Sequence, residues 1–170
     1  MIRIGLISDT HGFLDEQVFK HFEHCDEIWH AGDFGNKELA KQLSAFKSLK
    51  GVYGNIDGND IRTEFPEVLQ WQCEQVNVLM VHIGQPYWKA LQQLSKKSTP
   101  LLQELERSPQ LFVCGHSHIL KIMFDDSSQC LYMNPGAAGR EGWHKTRTII
   151  RFQIDGSDIR NCEVIELGKR

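Results

Sequence analysis

With 170 residues, 41% of them hydrophobic and 24% charged, the chain has an ordinary globular balance and enough length for one sizeable core. A net charge of −3 and no run of Lys or Arg longer than two disfavour a polymeric nucleic-acid partner, which calls for a basic stripe. No apolar stretch approaches the ~20 residues that span a bilayer, the N-terminus lacks the apolar core of a secretory signal, and the scattered Cys25, Cys73, Cys114, Cys130 and Cys162 contain no C-x-x-C, so a cytoplasmic chain with reduced thiols and no membrane partner is expected.

Residues 2–8 are an apolar run predicted as a strand, ending in Asp9-Thr10-His11. A helix is predicted over 15–24, with Val18, Phe19 and Phe22 on its buried face. A strand over 27–30 leads to Gly32-Asp33, a helix follows over 37–46, and a strand over 49–53 leads to Gly54-Asn55. Such alternation predicts parallel strands with right-handed crossovers, and ligands collect at the carboxyl ends of such strands. Strands over 68–73 and 76–81 read as a hairpin-like pair, the second ending in His82. Helices are predicted over 87–94 and 101–107, joined through Ser98-Thr99-Pro100. A strand over 111–114 ends in Gly115-His116-Ser117-His118, and strands over 119–124, 130–133, 146–152 and 159–167 are separated by turn signals at Asp125-Asp126-Ser127-Ser128 and Asp155-Gly156-Ser157. Two face-to-face mixed sheets with helices outside, a four-layer αββα sandwich in a single domain over 1–170, accommodate these elements.

Five apolar runs therefore stop at Asp, Asn or His. In an extended segment, positions i and i+2 point the same way, so Asp9 and His11 are expected to reach one ion. His116 and His118 do the same at a bend, and Gly32, Gly54 and Gly115 permit close backbone approach. The donors Asp9, His11, Asp33, Asn55, His82, His116 and His118 exceed what one ion takes while keeping an open position. Two ions sharing a carboxylate, at the ~3.5–4 Å two-metal spacing, fit better. Two divalent ions against two Asp leave a positive surplus, which suits a phosphoester substrate. Mixed N/O donors without thiolate suit Mn, Fe, Zn, Co or Ni over Mg or Ca. The expected reaction is in-line attack of a metal-bound hydroxide on phosphorus, without a covalent enzyme intermediate.

The ordered set D-x-H, G-D, G-N, a single His and G-H-x-H, with His30-Ala31-Gly32-Asp33 and Asn134-Pro135-Gly136-Ala137, resembles the calcineurin-like metallophosphoesterases, and within them the small bacterial and archaeal phosphodiesterase branch. The resemblance covers almost the whole chain. It implies the αββα sandwich, Mn as the usual activator, and Asp33 as a bridge between two ions. Asp9, His11 and His118 would complete the ligands of the first ion, and Asn55, His82 and His116 those of the second. Small members of the branch are often dimers or larger, which leaves a homo-oligomer open.

Two departures stand out. Many members carry His directly after the motif Asn, and the small branch often has Cys there, followed by Asp; here the pair is Ile56-Asp57. Where the family reads His-Gly-His, this chain reads His82-Ile83-Gly84. Ile56 donates no proton, and help of that kind is worth ~10²–10⁴-fold, so esters with good leaving groups are expected.

The remaining candidates carry competing readings. His30 is an outer partner or a satisfied buried His rather than a ligand. Asp57 orients a ligand or is an exposed turn residue. Asn134 holds a site loop or makes a turn before Pro135, and Arg140 contacts phosphate or a surface carboxylate. Tyr87, Trp88 and Lys89 line a substrate mouth or pack a helix. His144 replaces the missing acid or sits in a loop. Cys114 reads as a small core residue. The leading expectation is a hydrolase of a small phosphodiester. The alternatives are a metal-dependent phosphomonoesterase and a non-catalytic scaffold like the retromer subunit of this fold, against which the seven retained donors argue.

Overall fold

Val18 and Phe22 lie one helical turn apart, so α1 (Glu16–Phe22) buries one face, and Asp15 caps it by accepting from the Gln17 N–H. Leu39, Ala40 and Leu43 do the same for α2 (Lys37–Phe46), where Asn36 accepts from the Leu39 N–H at 2.9 Å. These two helices link three parallel strands, β1 (Ile2–Ile7), β2 (Glu27–His30) and β3 (Ser48–Gly51). This is the crossover pattern that the alternating runs predict. The computed structural model describes residues 1–92 and 108–170; the helix expected over 101–107 and the joint at 98–100 lie outside the described residues.

The second half of the chain starts a second sheet. β4 (Val68–Cys73) and β5 (Val76–Val81) form an antiparallel hairpin. β5 runs parallel to β6 (Leu111–Val113), and β6 runs parallel to β8 (Cys130–Pro135), whose outer neighbour β7 (Leu120–Asp125) is antiparallel. The chain then returns to the first sheet through β9 (Thr146–Asp155), antiparallel to β1, and β10 (Asp158–Lys169). The orders are β10-β9-β1-β2-β3 and β4-β5-β6-β8-β7. Both sheets are mixed.

Alternation along the strands assigns each residue to a layer. Ile4, Leu6 and Trp29 of the first sheet meet Val78, Met80, Val113 and Met133 of the second in a dry inner layer. Trp29 and Trp71 pack edge to face there, with centroids 4.7 Å apart. The outer face of the first sheet is covered by α1 and α2. Trp88 and Leu91 of α4 (Gln85–Gln92) pack with Leu79 and Phe112 on the outer face of the second. The layers are αββα. Each fully buried large apolar side chain contributes about 1.5–3 kcal/mol, and the fully buried Trp29, Phe112 and Phe152 are among the largest.

Two differences from the sequence expectations matter for the site. β3 ends at Gly51, so residues 52–58 are free to loop, and a one-turn helix, α3 (Asn59–Arg62), follows. Four residues are too few for a hydrophobic period to register. The carboxyl ends of β1, β2, β3, β5 and β6 each lead into one of the polar motifs, at one edge of the sandwich.

Candidate metal centre

The backbone of five of the seven donors is left-handed. Asp9, His11, Asp33, His116 and His118 have φ of 53, 48, 59, 65 and 56°. The extended geometry expected for Asp9-Thr10-His11 is therefore corrected: both ends of the motif are left-handed. Such residues cost ~1–3 kcal/mol each and persist only where their surroundings over-determine them. Here they do. Asp9 N–H and His11 N–H donate to the carbonyls of Gly32 and Asp33, both at 3.0 Å, and Gly139 N–H donates to Asp9 O at 2.9 Å. The glycines beside the donors answer to space. A Cβ on Gly54 would collide with the Asp33 carboxylate, and one on Gly115 with the Ser8 hydroxyl.

The structure brings all seven donors together. Asp9, His11 and His118 form one group and Asp33, His82 and His116 another, each with its donor atoms within 4.8 Å. Asn55 Oδ1 lies 3.0 Å from His82 Nε2. Asp33 stands between the groups through one oxygen: Oδ2 is 3.2 Å from His82 Nε2 and 3.7 Å from His11 Nε2. Its other oxygen accepts from the Ile56 N–H at 3.1 Å. Asp9 divides the same way. Oδ2 accepts from Ser8 Oγ at 2.6 Å and from His116 N–H at 3.1 Å. Oδ1 is buried without a hydrogen bond, 3.1 Å from His118 Nε2.

These contacts fit divalent cations. A buried carboxylate oxygen left without a proton donor is costly. His11 Nε2 and His118 Nε2 lie 3.4 Å apart, where two lone pairs need a proton or a cation between them. His82 presents the right tautomer. Its Nδ1–H donates to Ala31 O at 2.7 Å, because a carbonyl only accepts, and that leaves the Nε2 lone pair facing Asp33 and Asn55. Burial works against both members of the His82–Asp33 contact. Their mutual attraction outweighs it, raising the His82 pKa and lowering that of Asp33, so a proton and a cation compete for the same Nε2 lone pair.

Beneath the donors lies a layer of hydrogen bonds that fixes their loops. His30 is fully buried and not a ligand. Gly32 N–H donates to its Nδ1 at 3.2 Å, so Nε2 carries the proton and donates to Thr10 Oγ1 at 2.9 Å. Thr10 in turn donates to Phe34 O at 3.1 Å. Burial pushes the His30 pKa down to about 3, so the ring is neutral. Asp57 is buried, which removes the exposed-turn reading. Its carboxylate accepts from the N–H groups of Phe34, Gly35 and Gly54 at 3.2, 2.8 and 2.8 Å, locking the Gly32-Asp33 loop to the Gly54-Asn55 loop. Asn134 does this for the second sheet: Nδ2 donates to Gly115 O at 2.8 Å and Ser117 Oγ at 3.2 Å, while Oδ1 accepts from Gly136 N–H. It serves both the site loop and the turn.

The other candidates separate. The Arg140 guanidinium lies 4.0 Å from the centroid of the Phe13 ring, a cation–π contact that neither of its two expected readings, phosphate or surface carboxylate, anticipates. His144 packs edge to face on His118 at 5.2 Å and donates from Nε2 to Gly139 O; it braces a donor. Cys114 is buried among apolar residues, and burial lifts its thiol to about 11. Sequence reasoning missed Ser8 and Thr10, hidden inside a strand end, and Arg62. The Arg62 side chain donates to the carbonyls of Asp57, Gly54 and Asn55 at 2.7, 3.1 and 3.3 Å. Its position in an unanticipated one-turn helix left no signal to find.

A two-sheet αββα sandwich with Asp, His and Asn donors at the strand ends defines a metallophosphoesterase fold. The model of the calcineurin-like phosphoesterase superfamily domain matches residues 2–157, and the chain belongs to that family of metal-dependent phosphoester hydrolases. It is 30% identical over 139 residues to the "Probable metallophosphoesterase" of Methanocaldococcus jannaschii, an alignment covering 79% of this chain and 67% of that protein. Among solved structures it is similar to an archaeal phosphodiesterase, with a TM-score of 0.72 at 21% identity, over 98% of this chain and 100% of the other. It is also similar to the zinc complex of Vps29 from Entamoeba histolytica, with a TM-score of 0.69 at 16% identity, over 97% and 99% of the two chains. At these identities the structural matches establish the shared fold. Among the described residues no helix is long and apolar enough to cross a membrane.

Proposed function

We propose that the chain is a dinuclear-metal phosphodiesterase acting on a small phosphodiester. The observation that carries this reading is the pair of donor groups with the Asp33 Oδ2 oxygen between them. Asp9, His11 and His118 would hold one ion, Asn55, His82 and His116 the other, and Asp33 both. Mn is the first candidate, and Fe, Zn, Co and Ni suit the same donors. Divalent ions there supply positive charge for phosphate oxygens and acidify coordinated water.

The chain's own residues do the rest. Two carboxylates leave a surplus of positive charge once two divalent ions are held, which favours an oxyanion. His30, Asp57 and Asn134 hold the donor loops in left-handed conformations, so little reorganisation is needed when substrate arrives. The two positions where the resembled family carries a proton-donating side chain are Ile56, which is exposed, and Gly84, which is buried. Neither donates a proton to a leaving group. Diesters with good leaving groups suit such a site better than unactivated monoesters.

The test is hydrolysis of bis(p-nitrophenyl) phosphate and p-nitrophenyl phosphate by metal-stripped protein, with and without Mn. Mn-dependent cleavage of the diester with little of the monoester is the expected result. Preference for the monoester makes the protein a phosphomonoesterase. Two bound ions with neither substrate cleaved at any rate above solvent would sink the catalytic reading in favour of a binding scaffold.

A further inference from the structure

Two cavities open beside the second donor group, one on each side of Ile83. The larger, about 460 Å³, reaches from His116 to Trp88, Lys121 and Tyr132. The smaller, about 180 Å³, lies against Asn55, His82, Tyr53 and Arg62. Ile83 follows His82 directly, is 43% exposed and lines both. A phosphorus atom held at the donors therefore has two diverging spaces for its substituents, with an apolar ridge between them. A monoester fills only one of them.

The cavities differ in charge. Among the described residues lining the larger one there is no carboxylate, while Lys121 brings a cation whose Nζ lies 5.2 Å from the centroid of the Tyr132 ring. The Tyr132 oxygen accepts from the Cys114 thiol at 3.0 Å, so its own O–H is the proton it has to offer. Ile83, Pro86 and Trp88 supply apolar wall. The smaller cavity holds Arg62 and Glu67, and both are committed: Arg62 to the carbonyls of Asp57, Gly54 and Asn55, Glu67 to the Tyr53 hydroxyl at 2.9 Å.

From this asymmetry, and resting on the phosphodiesterase reading above, we infer that the substrate is an unsymmetrical phosphodiester. Its larger arm carries a second anionic group that meets Lys121 and Tyr132, and its smaller, neutral arm lies beyond Ile83 against Tyr53. Lys121 is the specificity-determining residue, and Ile83 the ridge that sorts the arms.

Two probes separate the contributions: the p-nitrophenyl ester of thymidine 5′-phosphate, and the same diester with a phosphate on the 3′-hydroxyl. They differ only in the anionic group of the larger arm. With Mn-loaded protein, the 3′-phosphorylated probe is expected to have a KM lower by about fivefold, the scale of one part-exposed ion pair. Lys121→Met should bring the ratio of the two KM values to one. Ile83→Trp, which narrows both mouths, should raise KM for both probes while preserving the Mn-induced rise in Tm. Equal KM values in the wild type, or an undiminished ratio in Lys121→Met, overturn the inference. If neither probe is cleaved, the diesterase reading fails, and calorimetry still decides the cavity. Tighter binding of thymidine 3′,5′-bisphosphate than of thymidine 5′-phosphate, lost in Lys121→Met, upholds the anion site, and equal binding overturns it.

Discussion

The two sheets meet at the same edge but contribute unlike chemistry. The loops after β1, β2 and β3 carry Asp9, His11, Asp33 and Asn55, whereas those after β5 and β6 carry only imidazoles, His82, His116 and His118. The loop supports follow suit: a buried carboxylate, Asp57, ties the first set, and a neutral amide, Asn134, ties the second. All the negative charge among the donors sits in the half built from parallel crossovers, so under the proposed function the first sheet would set the affinity for cations and the second would complete their shells. Ions bound across the edge would fasten the two sheets to each other.

The sharpest way to break this comparison is to neutralise the first sheet. Asp33→Asn removes one of two carboxylates from the donors while keeping the shape. It should abolish paired metal uptake, measured as Mn bound per chain, and lower diester turnover by more than the ~10–100-fold typical of losing an outer partner. His82→Asn, on the neutral sheet, should cost less uptake. Wild-type activity in Asp33→Asn would remove Asp33 from the centre.

The supports give the next largest effect. Asp57→Ala strands two buried N–H groups, those of Phe34 and Gly54, and frees the part-buried one of Gly35. At ~1–3 kcal/mol for each buried unsatisfied group, the loss should be about 2 kcal/mol or more in urea unfolding of metal-free protein. Asn134→Ala leaves as many groups without their partner, those of Gly115, Ser117 and Gly136, but its bonds are neutral and weaker than bonds to a charged acceptor, so it should cost about 1–2 kcal/mol. Equal losses would show that the charged clamp is no stronger than the neutral one.

Much of this was legible in the sequence, for a common reason. The strands are strong apolar runs, and each run that mattered stopped at a polar motif, so the layers and the set of converging donors could be read from order alone. The backbone of those donors could not. Nothing marks Asp9 or His118 as left-handed beyond the general tolerance of Asp, Asn and His for that region, and the extended reading of Asp9-Thr10-His11 failed there. Asp57 was ambiguous because its partners lie 22 and 23 residues away at Gly35 and Phe34. Arg62 was invisible because it acts from a single helical turn on backbone carbonyls, which carry no sequence signal.

Acid should weaken the first sheet through His30. The folded-state pKa is held at about 3 by burial, below the ordinary value of 6.5. Between these values the unfolded chain binds the proton and the folded chain does not. Stability is therefore complete above pH 6.5 and falls as pH drops, by about 1.4 kcal/mol per pH unit from this residue. Urea midpoints of metal-free protein between pH 6.5 and 4 should show that slope, and His30→Gln should reduce it. An unchanged slope in the variant would assign the acid sensitivity elsewhere.

The smallest effect sharpens the comparison by adding to the first sheet what it lacks. Ile56 follows Asn55, is 46% exposed, and meets the donors through its backbone N–H, which any residue but Pro retains. Ile56→His therefore keeps the Asp33 contact and introduces a proton donor. A p-nitrophenolate leaving group needs no proton, so its release should change little. An alkyl leaving group does, and its release should rise about tenfold, short of the ~10²–10⁴ of an evolved acid because the ring has no partner built to orient it. The gain should disappear as pH rises through about 6.5, since only the protonated imidazole donates. A rise shared equally by both esters, or one that persists at high pH, would trace the effect to a changed loop. It would then leave the missing acid as a matter for another residue, with His144 committed through Nε2 to Gly139 O and packed against His118.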